Sequence, residues 1–135
     1  MKYKLALIAA TVLLLCARGN AQNQPIEDEL GYTHAIKTGN TLYISGTTST
    51  GSMAAQVASI MDDIQGTLRH YGASLKNVVK ETVYTTSLDS FMAVRSLHKS
   101  FYHGDYPAST WVEVKRLLLP QFLVEIEVTA VLPEQ

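Results

Sequence analysis

The sequence predicts a two-layer α+β domain of order β-β-α-β-α-β-β, and three observations predict it. A strong helical period fills the middle of the chain, strand alternation closes it, and turn signals separate the two. The helical period comes from Val57, Ile60, Met61, Ile64, Leu68 and Tyr71, which place one apolar face on a helix that begins at Met53. Gly72 stands where a helix-ending glycine belongs. Upstream, "YTHAIKTGNTLYISG" reads as two short strands around a "TGN" turn. Downstream, "NVVKETVYTT" is rich in β-branched residues and reads as a third strand. "TSLD" then offers a capping box from Thr86 to Asp89, opening a second helix with the face Phe91, Val94, His98 and Phe101. Two alternating strands finish the chain. "STWVEVKRL" sets Val112 and Val114 against Trp111, Glu113 and Lys115, and "LVEIEVTAVL" sets Val124, Ile126, Val128 and Ala130 against Glu125, Glu127 and Thr129. With the valines and isoleucines toward the helices, Trp111, Thr129 and one or more of Tyr43, Thr82 and Tyr84 face away. Aromatic groups on an uncovered sheet face imply burial against another copy of the chain, so a homo-oligomer is expected through the face of Trp111.

The first residues are read separately. "MKYK" is a positive start, "LALIAATVLLLCA" is an apolar run of 13 residues, and Gly19 and Ala21 supply small residues for cleavage after Ala21. A membrane-spanning helix needs about 20 apolar residues, so no stable anchor is expected once the signal is removed. A lipoprotein reading at Cys16 is disfavoured, because leucine precedes the cysteine where a small residue is wanted. The expected organisation is a signal peptide over 1–21, a loose polar arm over 22–30 and one domain over 31–135, exported to the periplasm or beyond.

Cleavage leaves 114 of the 135 residues. With Lys2, Lys4 and Arg18 gone, 8 of the 11 basic residues remain against 12 acidic ones, a net charge of −4. Phosphate-binding surfaces carry a basic excess, so nucleic acid is not an expected partner. Cys16 is the one cysteine, so disulfides, zinc thiolates and a cysteine nucleophile are excluded from the mature chain. An exported domain of this size without disulfides depends on its core or on association with copies of itself.

Other chemistries lack their parts. His34, His70, His98 and His103 have no metal-ligand spacing, so no metal is expected, and His70 and His98 read as packing or surface groups. "SGTTSTGS" has two glycines but no lysine after them, so no phosphate loop or other cofactor site is indicated. A serine nucleophile at Ser45 would have only His34 nearby as a base, with no acidic third member in view.

Four segments, "GYTHAIKTGNTLYISG", "YGASLKNVVKETVYTTSLDSF", "YPAS" followed by "VEV", and "LP…VEIEVTA", together resemble the RidA family, also called the YjgF-type proteins. The match runs from about Gly31 to Pro133. The resemblance implies the α+β fold shared with bacillus-type chorismate mutase, assembled as a homotrimer with a cleft between each pair of subunits. It also implies hydrolysis of 2-imino or enamine acids to 2-keto acids and ammonia. An arginine would pair bidentately with the substrate carboxylate, hydroxyl and backbone groups would orient the imine, and a carboxylate would hold the attacking water. Carried over by position, Tyr32 matches the aromatic residue near the cleft, Ser45 and Gly46 the loop at the strand end, and Glu125 the water-holding carboxylate.

The family's arginine follows a Pro-Ala pair, and here that position is Ser109; Trp111 stands where a cysteine is common. A serine hydroxyl gives a hydrogen bond worth about 1 kcal/mol net. A bidentate ion pair is worth several times that, and losing ~3 kcal/mol of positioning lowers turnover about a hundredfold. Arg116 cannot substitute from a regular strand, since alternation puts it on the face of Val112 and Val114, away from Ser109. The reading is an exported RidA-type protein whose inter-subunit cleft binds a small metabolite without efficient turnover, with Ser109 and Trp111 at the cleft. The alternative keeps 2-imino or enamine acid hydrolysis, with Glu125 holding water. A ribonuclease role, once ascribed to some relatives, fits poorly with the acidic mature charge.

Overall fold

A computed structural model of the protein describes residues 24–134, and the expected signal segment with its cleavage point lies outside them. The described residues open with a helix, α1 (Gln24–Leu30), where the sequence suggests a loose arm. The reason is local. Glu27 is buried and its carboxylate accepts the backbone N–H of His34, while its carbonyl accepts from Gly31 and Tyr32. An acidic residue thus ties the arm to the start of the sheet and closes the helix on Gly31, whose φ of 74° suits glycine.

The hairpin forms as expected from β1 (Ala35–Thr38) and β2 (Thr41–Thr48), with Gly39 turning between them at φ 59°. The long helix α2 spans Met53–His70 and buries Met53, Val57, Ile60, Met61, Ile64 and Leu68. Ser52 caps its start, accepting from the Ala55 N–H. At its end Gly72 adopts φ 71°; its N–H reaches the Arg69 carbonyl at 3.0 Å and the Ala73 N–H reaches Leu68 at 2.9 Å. That pair of bonds is a Schellman closure, which requires a residue tolerant of the left-handed region.

After β3 (Val78–Thr85) the second helical region divides into α3 (Leu88–Ala93) and α4 (Arg95–Phe101), joined at Val94. Its cap is Ser87, one residue after the expected Thr86, which is held instead by the Leu123 carbonyl. The chain then forms β4 (Ala108–Glu113) and β5 (Val124–Val131). The sheet order is β1-β2-β5-β3-β4, antiparallel except for β3 and β4, whose parallel pairing needs the α3–α4 crossover.

The core lies between the helices and the inward side chains of the sheet, chiefly Leu42, Ile44, Val83, Val124, Ile126, Val128 and Ala130. Each fully buried aliphatic side chain there contributes about 1.5–3 kcal/mol. Gln56, also fully buried, donates to the Gly51 and Gln121 carbonyls and accepts from the Leu123 N–H, so α2 fastens the loop that leads into β5. Among the described residues no helix is long and apolar enough to cross a membrane.

One expected strand phase is reversed. On β5 the valines and isoleucines point inward as predicted, and Tyr43, Thr82, Tyr84 and Thr129 occupy the opposite face, where Tyr43 pairs with Thr129, Thr82 with Glu127 and Tyr84 with Glu125. On β4, however, Ser109 pairs with Glu81 and Trp111 with Val83, both fully buried inward residues of β3. Ser109 and Trp111 therefore face the helices, and Val112 and Val114 face away. The indole fills the space beside α3 and α4 that a valine would leave empty, packing edge-on against Phe91 and His98 at 5.1 and 5.9 Å. The expected placement of Trp111 on the uncovered face is overturned, because the tryptophan is on the covered side.

Candidate ligand cleft

The side chains that gather at β4 begin with a position where burial and charge conflict. Glu81 shares strand parity with Val83 and Thr85, so the β3 pleat drives its carboxylate inward, where it is completely buried. Three donors meet it. His98 Nε2 lies 2.8 Å from Oε2, Tyr102 donates to Oε2 at 2.5 Å, and Ser109 donates to Oε1 at 2.7 Å. His98 and Tyr102 are four apart at the end of α4, which stacks them on one face. Trp111 Nε1–H in turn donates to Ser109 Oγ at 2.7 Å. No buried side-chain nitrogen or oxygen among the described residues lacks a partner.

Burial is the largest single influence on Glu81 and opposes its ionisation. The hydrogen bond and charge of His98, with the bonds from Ser109 and Tyr102, together outweigh it and hold the carboxyl below its ordinary pKa. With the carboxylate ionised, His98 Nε2 is the donor. The phenol of Tyr102 is pushed far up, by burial first and then by the charge and hydrogen bond of Glu81. It stays a donor at any ordinary pH.

Above this buried cluster lies an open cleft of about 450 Å³. Ser109 and Trp111 form one wall, Arg95 and Lys99 of α4 form the other, and Tyr106 and Pro107 close the end. Trp111 remains 37% exposed, so part of its indole is open to a ligand in the cleft.

The other expected site residues lie elsewhere on the chain. Glu125 sits on the opposite sheet face beside Glu127, lining a recess with Tyr84, Val114 and Arg116. This bears out the expectation that Arg116 turns away from Ser109. Tyr84 donates to Glu127 at 2.9 Å, giving Glu127 a structural bond. Among the described residues Glu125 has no such donor; burial, and then the charge of Glu127, push its pKa up. Gly46 falls in the irregular part of β2 between Ile44 and Thr47, and a Cβ there would lie 1.9 Å from Glu125 Oε1. Glycine is thus what lets the carboxylate lie against the strand. Ser45 is committed to the Thr33 carbonyl at 2.7 Å. Tyr32, 39% exposed, shares a separate recess with His34 and Gly46 against α2. His34 Nε2 bonds Thr67 at 3.0 Å while Ser45 Oγ is turned to the Thr33 carbonyl, so the two side chains are not paired.

The structure therefore brings together Ser109 with Trp111, and Gly46 with Glu125, but not the two pairs with each other. β3 lies between β5 and β4, so roughly 10 Å of sheet separates them, and Glu125 and Ser109 point to opposite faces. Glu81, His98, Tyr102, Arg95 and Lys99 were missed from the sequence. The available signals were a glutamate on the inward parity of a strand and a histidine on an apolar helix face. No group of side chains that could hold a metal ion occurs among the described residues.

These features define a small α+β protein with helices on one side of a five-stranded sheet and a polar, aromatic-bearing face on the other. The family described as Endoribonuclease L-PSP matches residues 22–132, and the chain belongs to it, the RidA/YjgF family. A RutC family protein of Pyrococcus abyssi is 32% identical over 108 residues, covering 73% of this chain and 84% of the relative. A crystal structure of a YjgF/YER057c/UK114 family member from Mycobacterium tuberculosis superposes with a TM-score of 0.78 at 31% identity, covering 83% of this chain and 96% of the other. RidA from an Antarctic Psychrobacter superposes with a TM-score of 0.70 at 30% identity, covering 75% of this chain and 88% of that one. The expected α+β architecture and the family resemblance are both confirmed.

Proposed function

We propose that this protein is an exported member of its family that binds a small metabolite in a cleft completed by a second subunit of a homotrimer, without efficient turnover. The state of Ser109 carries this reading. Its hydroxyl proton is given to Glu81 and one of its lone pairs to Trp111, so it has little left for a ligand and no positive charge. A buried carboxylate directly beneath it also repels a substrate carboxylate placed there. The separation of Ser109 and Trp111 from Gly46 and Glu125 supports assembly. Residues that face apart on one chain can meet only across a boundary between chains. The exposed Tyr43, Val112 and Val131 give the sheet an apolar surface to bury in such a contact.

One observation favours the hydrolytic alternative. Glu125 is half-buried with a raised pKa, which is the state of a carboxyl able to exchange a proton with a bound water. The separating experiment is keto-acid release from 2-iminobutyrate generated in situ, with light scattering of the mature protein alongside. We expect turnover about a hundredfold below that of a typical RidA, from the ~3 kcal/mol of lost positioning. Ser109→Arg combined with Trp111→Cys, which supplies a cation and clears the indole, should raise it. Full activity in the unaltered protein would overturn the binding reading, and a monomer at micromolar concentration would overturn the shared cleft.

A further inference from the structure

The cleft beside Ser109 is not without positive charge; the charge comes from the other wall. Arg95 and Lys99 stand four residues apart on α4, on the face that also carries His98 and Tyr102, so both are presented to the same opening. The only ion pair among the described residues is that of Glu81 with His98, which leaves Arg95 and Lys99 without a carboxylate partner there. Arg95 spends one hydrogen bond, from Nη1 to the Met92 carbonyl at 2.9 Å, and the rest of its fork is available. Lys99 Nζ rests 5.6 Å from the centre of the Tyr106 ring, a cation–π contact that keeps it at the cleft mouth. Two carboxylates of the neighbouring strands are already engaged. Glu81 is enclosed by its three donors, and Glu113 of β4 accepts the Leu88 N–H at 2.8 Å.

We infer that the ligand of this cleft is a small organic anion whose carboxylate is anchored by Arg95 with help from Lys99, its body lying against Trp111 and Tyr106. This rests on the cleft-binding reading above and deepens it. Arginine presents a planar pair of donors that matches a carboxylate, so Arg95 is the anchor and Lys99 the supporting charge. A space of about 450 Å³ suits a ligand of this size. Both cations stand on the helix, which turns the bound carboxylate away from the Glu81 charge. A ligand held in that orientation would present its body, not its carboxylate, to Ser109.

Trp111 is the single tryptophan of the chain and stands in the cleft wall, so its emission reports occupancy directly. The probes are 2-oxobutyrate and its uncharged methyl ester, titrated into the mature protein at low salt. We expect saturable quenching by the acid and at least about tenfold weaker binding of the ester. Arg95→Gln should weaken the acid about tenfold, Lys99→Gln a few-fold, and neither should alter the ester. Lys115→Gln, outside the cleft, should leave both unchanged. Equal affinity for acid and ester, or an Arg95→Gln protein that binds the acid like the parent, would overturn the anchor while leaving cleft binding intact. No response of the parent protein to either probe would overturn the cleft reading and the anchor together.

Discussion

The two faces of the sheet each carry a glutamate drawn out of bulk water, and they treat it in opposite ways. On the helix side Glu81 receives three donors and its pKa is held down. On the other side Glu125 lies beside Glu127 without a donor among the described residues, and its pKa is pushed up by burial and that neighbour's charge. The difference is one of completeness. A buried carboxylate whose hydrogen bonds are all made within one chain is part of the fold. One that is partly dried and left uncompensated has capacity for something that arrives later, whether a water, a ligand or another subunit.

The largest effect that could break this contrast is on stability. Glu81→Ala should lower the unfolding free energy by about 3–5 kcal/mol, because His98, Tyr102 and Ser109 lose their common partner inside the protein. Glu81→Gln keeps the shape and should cost less. Denaturant unfolding of both would decide the matter, and a loss under about 1 kcal/mol for the alanine variant would mean the cluster does not hold the fold.

Gly46→Ala is the next test and acts on the other glutamate. The added methyl must displace Glu125, whose Oε1, Cδ and Cγ all lie within 2.9 Å of the ideal Cβ position. Overpacking of this kind costs about 1–3 kcal/mol. If Glu125 is the only obstacle, Glu125→Ala should recover most of that loss in the double variant. A double variant as unstable as the single would place the strain in the irregular backbone of β2 instead.

The smallest expected effect is in pH dependence, where the two glutamates have opposite signs. Glu81, with its folded pKa below the unfolded value, contributes stability that is present above the unfolded pKa and lost as pH falls through the lowered folded one. For Glu125 the folded pKa lies above the unfolded value, so the folded state holds its proton more tightly and stability declines as pH rises between the two. Glu125→Gln should remove the decline on the mildly acidic side and leave the acid limb in place. Glu81→Gln should do the reverse. Loss of both limbs in one variant would show that the two carboxylates are not independent. Repeating the Glu125 measurement on the assembled protein would sharpen the contrast, since a partner group that meets Glu125 would shrink the decline.

Half of this contrast was legible in the sequence. Glu125 is assigned by its place in a recognisable pattern, and its strand phase follows from the four alternate inward residues of β5. Glu81 was not legible there, since a strand reading of "NVVKETVYTT" gives no reason to bury an acid without knowing what lies opposite. Its donors come from α4 and β4, 17, 21 and 28 residues further along the chain.

The sequence by itself determined the local order: the hairpin at Gly39, the extent and apolar face of α2 with its closure at Gly72, the inward phase of β5, and the family. These depend on periodicity and on backbone tolerance, which act over a few residues. Only the tertiary structure decided the phase of β4. Alternation says which residues share a face but not which face is covered, and there a tryptophan gains more from packing on Phe91 and His98, with Ser109 accepting its N–H, than a valine would. That choice set Ser109 on Glu81 and placed the cleft opposite Arg95 and Lys99.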